Sequence, residues 1–86
     1  MPELSRFFGI VITMYARDHR PAHFHARYGD NEALIEIETS RLLRGQLPRR
    51  ALAMVEEWCD LHRPDLQAAW DSLRRGTSPD KITPLE

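Results

Sequence analysis

The sequence predicts a single α+β domain in which a small antiparallel meander of three to four strands is followed by two helices packed on one face. Three observations lead to this prediction. The 86 residues are enough for one hydrophobic core and no more. Short apolar segments occupy the first half of the chain, and amphipathic segments occupy the second half. We place the domain at residues 1–76 and expect an extended C-terminal tail at residues 77–86, because this tail contains two prolines.

The predicted sheet consists of three short segments with strand-like composition. Phe8 to Tyr15 is a β-branched run that is apolar on both faces and therefore suits a covered strand. His23 to Tyr28 and Ala33 to Glu38 alternate between apolar and polar residues, as half-buried strands do. A turn or a short fourth strand is expected around Leu42 and Leu43.

The two alternating segments predict a hairpin with a defined register. A two-residue loop at Asp30–Asn31 pairs apolar residues with apolar residues on one face. On the opposite face the same register pairs His25 with Glu36 and His23 with Glu38.

Two amphipathic helices are predicted after the sheet. Arg49 to Arg63 gathers its apolar residues on one stripe at helical spacing, with Pro48 in the first turn. Pro64 ends this helix and opens a second one, for which Gly76 is a suitable C-cap. His62 falls inside the first stripe, so we expect a buried histidine bonded to a backbone carbonyl. The stripes comprise Ala51, Leu52, Val55, Trp58, Cys59 and His62 in the first helix, and Leu66, Ala69, Trp70 and Leu73 in the second.

The charges nearly cancel in total but are arranged in blocks. Twelve basic and thirteen acidic residues give a formal net charge of −1, which excludes binding to nucleic acid or anionic membranes through overall charge. Residues 41–50, however, contain four arginines and no acid. We predict that this segment contacts a partner protein or phosphate groups. The arginine strip, as we call it, consists of Arg41, Arg44, Arg49 and Arg50.

The same sequence features predict a cytoplasmic protein. Cys59 is the only cysteine, so no internal disulfide can form. The N-terminus lacks a basic and then apolar leader. No apolar run approaches the roughly 20 residues that cross a bilayer, so no membrane association is expected.

Three of the four histidines lie in one polar segment, residues 18–25. His23 and His25 are two residues apart on a predicted strand, so their rings lie on one face with roughly 6.5–7 Å between them along the backbone. Such a face suits a binding surface, general acid–base chemistry, or a mixed nitrogen and oxygen site for a divalent metal. The candidate functional face consists of His19, His23, His25, Arg27, Glu36 and Glu38. No catalytic residue is assigned and no cofactor is expected, with a divalent metal at His23 and His25 as the open alternative.

Several short motifs carry a family resemblance over essentially the whole chain. They are Ser5-Arg6-Phe7-Phe8-Gly9-Ile10, Asp18-His19, Pro21-Ala22-His23-Phe24-His25 with Tyr28-Gly29, and Leu47-Pro48 leading into Ala51-Leu52. With these motifs the chain closely resembles the short bacterial proteins known as domain of unknown function 4160. The resemblance implies no catalytic residue. It implies a place in a small bacterial gene pair, similar to toxin–antitoxin or regulatory modules.

We therefore expect a binding or regulatory component of a two-gene, toxin–antitoxin-like module that acts through the candidate functional face. The expected partner is a protein encoded nearby. A His-dependent or metal-assisted ribonuclease is the alternative function. A local contact with nucleic acid, and a homodimer formed through an exposed edge of the first strand, are further alternatives.

Overall fold

The computed structural model describes residues 3–86, so residues 1 and 2 of the predicted domain lie outside that range. The described chain forms five strands followed by two helices. The strands form one antiparallel sheet in which neighbours in the chain are neighbours in space. The α+β class is thus confirmed, whereas the predicted count of three to four strands is wrong. The elements are β1 (Glu3–Phe7), β2 (Ile10–Thr13), β3 (His23–Tyr28), β4 (Asn31–Glu36), β5 (Leu42–Gly45), α1 (Arg49–Leu61) and α2 (Arg63–Arg74).

The additional strand comes from a hairpin inside the N-terminal apolar region. The sequence predicts one strand from Phe8 to Tyr15, but the chain reverses at Phe8 and Gly9, which have positive φ angles of 49° and 82°. Phe8 is 60% exposed at the tip of this turn. The Ile- and Val-rich strand β2 therefore lies between β1 and β3, so it does not offer the free edge on which the homodimer prediction relied.

The β3–β4 hairpin forms as predicted, but its register differs by two residues. Its loop is Gly29–Asp30 instead of Asp30–Asn31, and the positive φ of Gly29, 60°, suits glycine at the first position of a two-residue turn. Because side chains alternate with a period of two, this shift leaves each residue on its predicted face and changes only its partner. The partners observed are Leu34 for His25 and Glu36 for His23, in place of the predicted Glu36 and Glu38.

The hydrophobic core lies between the helices and one face of the sheet. Trp58 is its largest fully buried side chain and contacts Phe7 and Phe24, with ring centroids 5.3 and 5.7 Å apart. The sheet contributes Ile10, Ile12, Phe24, Ala26, Ala33 and Ile35, and the helices contribute Ala51, Val55, Cys59, Leu66, Ala69 and Trp70. We call the other side of the sheet the open face; it carries Val11, Thr13, Arg27, Leu34 and Arg44, none of which is buried.

The second helix ends in the glycine cap that the sequence predicts. Gly76 has a positive φ of 79°, and its N–H donates to Leu73 while the next N–H, of Thr77, donates to Ser72. These two hydrogen bonds are those of a Schellman motif. Among the described residues, no helix has the length and apolar character needed to span a membrane.

The C-terminal residues 77–86 contain no helix or strand and return across β1. The N–H of Ile82, a buried residue, donates to the carbonyl of Leu4 at 2.8 Å. The indole N–H of Trp58 donates to the carbonyl of Thr83 at 2.9 Å. The tail thus connects the first strand to the first helix and occupies part of the outer edge of β1.

Candidate functional site

A polar cluster forms where residues 14–22 fold back over the start of β3. The carboxylate of Asp18 lies between two imidazole rings, with its Oδ2 atom 3.2 Å from Nε2 of His23 and 2.9 Å from Nε2 of His25. One ligand atom from each of the three side chains lies within 4.8 Å of the other two. We call these residues the His–His–Asp cluster.

The loop that carries Asp18 is fixed by hydrogen bonds from two directions. The N–H of Asp18 donates to the carbonyl of Tyr15 at 3.4 Å. Its own carbonyl accepts a hydrogen bond from the Arg74 guanidinium at 2.7 Å. Arg74 in turn lies over the ring of Trp70, 5.3 Å from its centroid. Helix α2 therefore holds the loop in the position that brings Asp18 to the histidines.

The Nδ1 atom of each imidazole, which we call its outer nitrogen, also has a hydrogen-bond partner. Nδ1 of His23 lies 2.7 Å from the backbone carbonyl oxygen of Pro21. Nδ1 of His25 lies 2.8 Å from a carboxylate oxygen of Glu32. Both oxygens are acceptors, so each Nδ1 carries the proton and donates it. The Nε2 atoms of both rings face the Asp18 carboxylate, at 3.2 and 2.9 Å.

Packing restricts both rings of the cluster. The side chain of His23 is only 8% exposed, and its ring lies against Trp70 with centroids 5.5 Å apart. The ring of His25 meets Tyr15 edge to face, with centroids 4.5 Å apart. Because their neighbours are aromatic and their nitrogens are bonded, the two rings are preorganised toward Asp18.

Of the predicted functional face, only His23 and His25 enter the cluster. His19 is exposed in the loop, and Arg27 is exposed on the open face. Glu36 accepts a hydrogen bond from the Thr39 hydroxyl at 2.6 Å, and Glu38 is exposed in the turn after β4. The predicted pairs of His25 with Glu36 and of His23 with Glu38 are therefore wrong, and the carboxylates bonded to the rings are those of Asp18 and Glu32.

Asp18 is the residue of the cluster that the sequence-based selection missed. It stands five residues before His23 in a polar segment, so a carboxylate ahead of a His-x-His strand was a visible pattern. Strand alternation brings His23 and His25 together. It carries no information about the path of the preceding loop, which delivers the third side chain.

The arginine strip lies along β5 and the start of α1. Unlike the cluster, it consists of exposed side chains. Arg41, Arg44, Arg49 and Arg50 are all exposed. Within residues 3–86, the arginine–carboxylate ion pairs are those of Arg6 with Glu3 and Arg63 with Asp60, so the strip has none. Leu42 and Leu43, on β5 between two of these arginines, are 40% and 44% exposed. The strip thus combines unpaired positive charge with accessible apolar surface.

A groove of about 650 Å³ adjoins the His–His–Asp cluster. Tyr15, which contacts His25, forms part of its wall together with Arg17 from the same loop. The end of α2 and the following residues, from Leu73 to Pro79, line the other side. The cluster therefore lies beside a concavity and not on a flat sheet.

Cys59 and His62 have structural environments. Burial raises the pKa of the Cys59 thiol, whose Sγ–H donates to the carbonyl of Ile37 at 3.6 Å, so this thiol is not prepared to act as a nucleophile. His62 is half-buried at the end of α1, with its ring 5.6 Å from that of Trp58 and its Nδ1 3.4 Å from a carboxylate oxygen of Asp65. The predicted bond from His62 to a backbone carbonyl is wrong.

Comparison with protein-family models identifies the chain. Residues 9–71 match the model described as Domain of unknown function (DUF4160). The chain belongs to this family. The DUF4160 match includes the His–His–Asp cluster, the arginine strip and all of α1, and it confirms the resemblance seen in the sequence. No curated protein and no solved structure matches the chain.

Proposed function

We propose that this DUF4160 protein is the binding component of a small bacterial two-gene module of the toxin–antitoxin type, and that it binds its partner protein through β5 and the arginine strip. The observation that carries the proposal is the exposed run from Arg41 to Arg44, in which two leucines stand between two arginines without ion-pair partners among residues 3–86. Arginine is enriched at protein interfaces, and the buried centre of an interface is more apolar than the rest of the surface.

The position of β5 in the sheet supports the same proposal. This strand has a neighbour, β4, on one side only, so part of its backbone N–H and C=O groups face away from the sheet. An extended segment of a partner can add to such an edge as a further strand. Because the edge is flanked by arginines, we propose that the added segment is acidic.

The proposed surface continues from β5 onto the open face. Leu34 pairs with Arg44 on one side and with His25 on the other, so Arg44 lies two strands, about 10 Å, from His25. Arg27 is exposed on the same face. Of the predicted functional face, Arg27 thus belongs to the proposed surface, while His23 and His25 are mostly buried in their own cluster.

Co-expression with the product of the neighbouring gene tests this proposal. The double variant Arg41→Glu/Arg44→Glu should recover about tenfold less of that product than the wild type, because the new glutamates would repel the partner's acidic segment. Arg75→Glu is the matched control, since Arg75 is exposed at the end of α2, outside the strip. Equal recovery with the double variant and with the control would contradict the proposal.

A His-dependent or metal-assisted ribonuclease is the second candidate, and one observation favours it. The ring of His25 lies between two carboxylates, those of Asp18 and Glu32, at 2.9 and 2.8 Å. A carboxylate that orients an imidazole is a common arrangement in general acid–base catalysis. Cleavage of a single-stranded RNA, measured with and without EDTA for the wild type, His25→Ala and the control His19→Ala, tests this candidate. Cleavage that is lost only in His25→Ala supports it, and no cleavage by the wild type excludes it.

A further inference from the structure

We infer that Asp18, His23 and His25 bind one divalent transition-metal ion, through Oδ2 of the aspartate and Nε2 of both histidines. This inference does not depend on partner binding or on RNA cleavage. It rests on the convergence of the three ligand atoms, on the hydrogen bonds of the outer nitrogens, and on the shielded position of the cluster.

The two distances from the Asp18 oxygen to the histidine nitrogens are those expected for ligands of one ion, and the ligand atoms of all three side chains lie within 4.8 Å of one another. Two ligand atoms that each lie about 2.1 Å from an ion are about 3.0 Å apart at a right angle and about 3.4 Å apart at a tetrahedral angle. The two Nε2–Oδ2 distances in the cluster are 2.9 and 3.2 Å. An ion at the centre would therefore require little movement of Asp18 relative to either ring.

The hydrogen bonds at the outer nitrogens have the pattern found around metal-bound histidines. Such histidines donate the N–H that is not at the metal to a carboxylate or a backbone carbonyl, which fixes the ring and its tautomer. His23 donates to the carbonyl of Pro21, and His25 donates to the carboxylate of Glu32. Both rings are consequently held with Nε2 directed at Asp18, the third ligand.

The cluster lies in a place that is largely shielded from water. The side chains of His23 and His25 are only 8% and 15% exposed, and their ring centroids are 5.6 Å apart. A divalent cation at this place would be bound by both Nε2 atoms and would offset the negative charge of the Asp18 carboxylate.

The ligand set selects the class of metal. Two imidazole nitrogens and one carboxylate oxygen suit Zn²⁺, Fe²⁺ and related transition ions, whereas Mg²⁺ and Ca²⁺ prefer oxygen ligands. Three protein ligands leave at least one coordination position for water or for a bound molecule, as in catalytic and not in purely structural zinc sites. The groove that Tyr15 lines next to His25 gives a bound molecule space beside the cluster.

Calorimetric titration of the EDTA-treated, dialysed full chain with Zn²⁺ tests the inference. We expect one ion per chain for the wild type. Asp18→Asn retains the shape of the side chain and removes the negative charge, and should weaken binding ~100-fold or more, because loss of a partner outside the ligand set already costs about 10–100-fold. Glu32→Ala, which removes the partner of His25, should fall within that 10–100-fold range. His19→Ala is the matched control, because His19 is exposed in the same loop, and it should bind as the wild type does.

Two spectroscopic measurements on the wild type test the metal site even if a variant loses its fold. On addition of Zn²⁺ to the wild type, the ¹⁵N resonances of His23 and His25 should shift at Nε2 while Nδ1 stays protonated. Co²⁺ should give visible d–d absorption in the wild type and in His19→Ala. Absence of Zn²⁺ binding by the wild type, or equal affinity in the wild type and a folded Asp18→Asn, would overturn the inference.

Discussion

The His–His–Asp cluster and the arginine strip each include residues of the sheet and of the segments next to it, but they differ in whether their charged groups have partners within the chain. In the cluster, each ring nitrogen of His23 and His25 has a partner within the chain, and both rings are fixed by aromatic neighbours. In the strip, the arginines are exposed and have no ion-pair partner within residues 3–86. This difference agrees with the two proposals, a metal ion held within the cluster and a partner protein that covers the strip.

One residue belongs to the surroundings of both regions. The side chain of Glu32 accepts the hydrogen bond from His25, and its backbone carbonyl accepts one from the N–H of Gln46, directly after β5, at 3.2 Å. The two regions are thus adjacent in the backbone although their chemistry differs. If the two regions are independent, a substitution in one of them should leave binding at the other unchanged.

The largest effect is expected from Zn²⁺ on thermal stability. At a Zn²⁺ concentration about 100 times the Kd, a ligand that binds only the folded chain adds about 2.7 kcal/mol. The wild type and Arg41→Glu/Arg44→Glu should both show the resulting increase in Tm by scanning calorimetry, and Asp18→Asn should not. Loss of the Zn²⁺ effect in the arginine double variant would show that the regions are coupled.

A methyl group at Gly45 should disrupt the strip. Gly45 has a φ of +82°, and a Cβ atom there would collide with the carbonyl oxygen of Glu32. Gly45→Ala should therefore lower the free energy of unfolding by about 2 kcal/mol in urea denaturation and reduce recovery of the partner. Gly29→Ala is the control, because Gly29 also has a positive φ, +60°, but open space around it; it should cost roughly 1 kcal/mol. Similar losses for both variants would mean that backbone strain, and not the collision, decides the result.

Paired and unpaired arginines can be compared directly. Arg63 donates to the carbonyl of Ile37 at 2.8 Å and to the hydroxyl of Ser40 at 2.6 Å, so Arg63→Ala should lower the free energy of unfolding by about 1–2 kcal/mol. Arg50→Ala, in the strip, should change it by no more than about 0.5 kcal/mol. Chemical denaturation of the two variants checks this difference, and equal values would contradict the distinction between paired and unpaired arginines.

The smallest effect concerns acid stability. A hydrogen bond from the Ser40 hydroxyl and the nearby Arg63 guanidinium lower the pKa of the Asp60 carboxyl. Because the folded-state pKa lies below the unfolded one, the stabilisation is fully present above the ordinary carboxyl range, about pH 4, and is lost as the pH falls through the folded-state pKa. The Tm of the wild type should therefore decrease more steeply than that of Asp60→Asn in this range. Parallel Tm curves for the two proteins would show that Asp60 makes no such contribution.

The errors of sequence-based reasoning about the sheet have a common physical origin. Alternation with a period of two assigns faces, so the segments of β3 and β4 and their buried sides were predictable. It cannot distinguish registers that differ by two residues, and the loop at Gly29–Asp30 fits the pattern as well as Asp30–Asn31 does. The turn at Phe8 and Gly9 was hidden because Phe8, an aromatic residue with a positive φ of 49°, is not a typical turn residue.

Sequence-based reasoning likewise predicted only part of the candidate site. Spacing along one strand is a local property, and it correctly placed His23 and His25 side by side. Asp18 and Glu32 reach the histidines through a loop path and a diagonal contact across the hairpin, neither of which follows from local periodicity. The arginine strip was visible as a charge block, but its exposure and lack of ion pairs depend on the placement of every acidic side chain around it.

The return of the C-terminal tail across β1 limits how the sheet can grow. A sheet with two free edges can join copies end to end into an open-ended fibre. Here the hydrogen bond from Ile82 to Leu4 occupies part of one outer edge, while β5 remains open at the other. Addition at a single edge ends after one partner or after one symmetric pair, so the tail favours closed complexes over filaments.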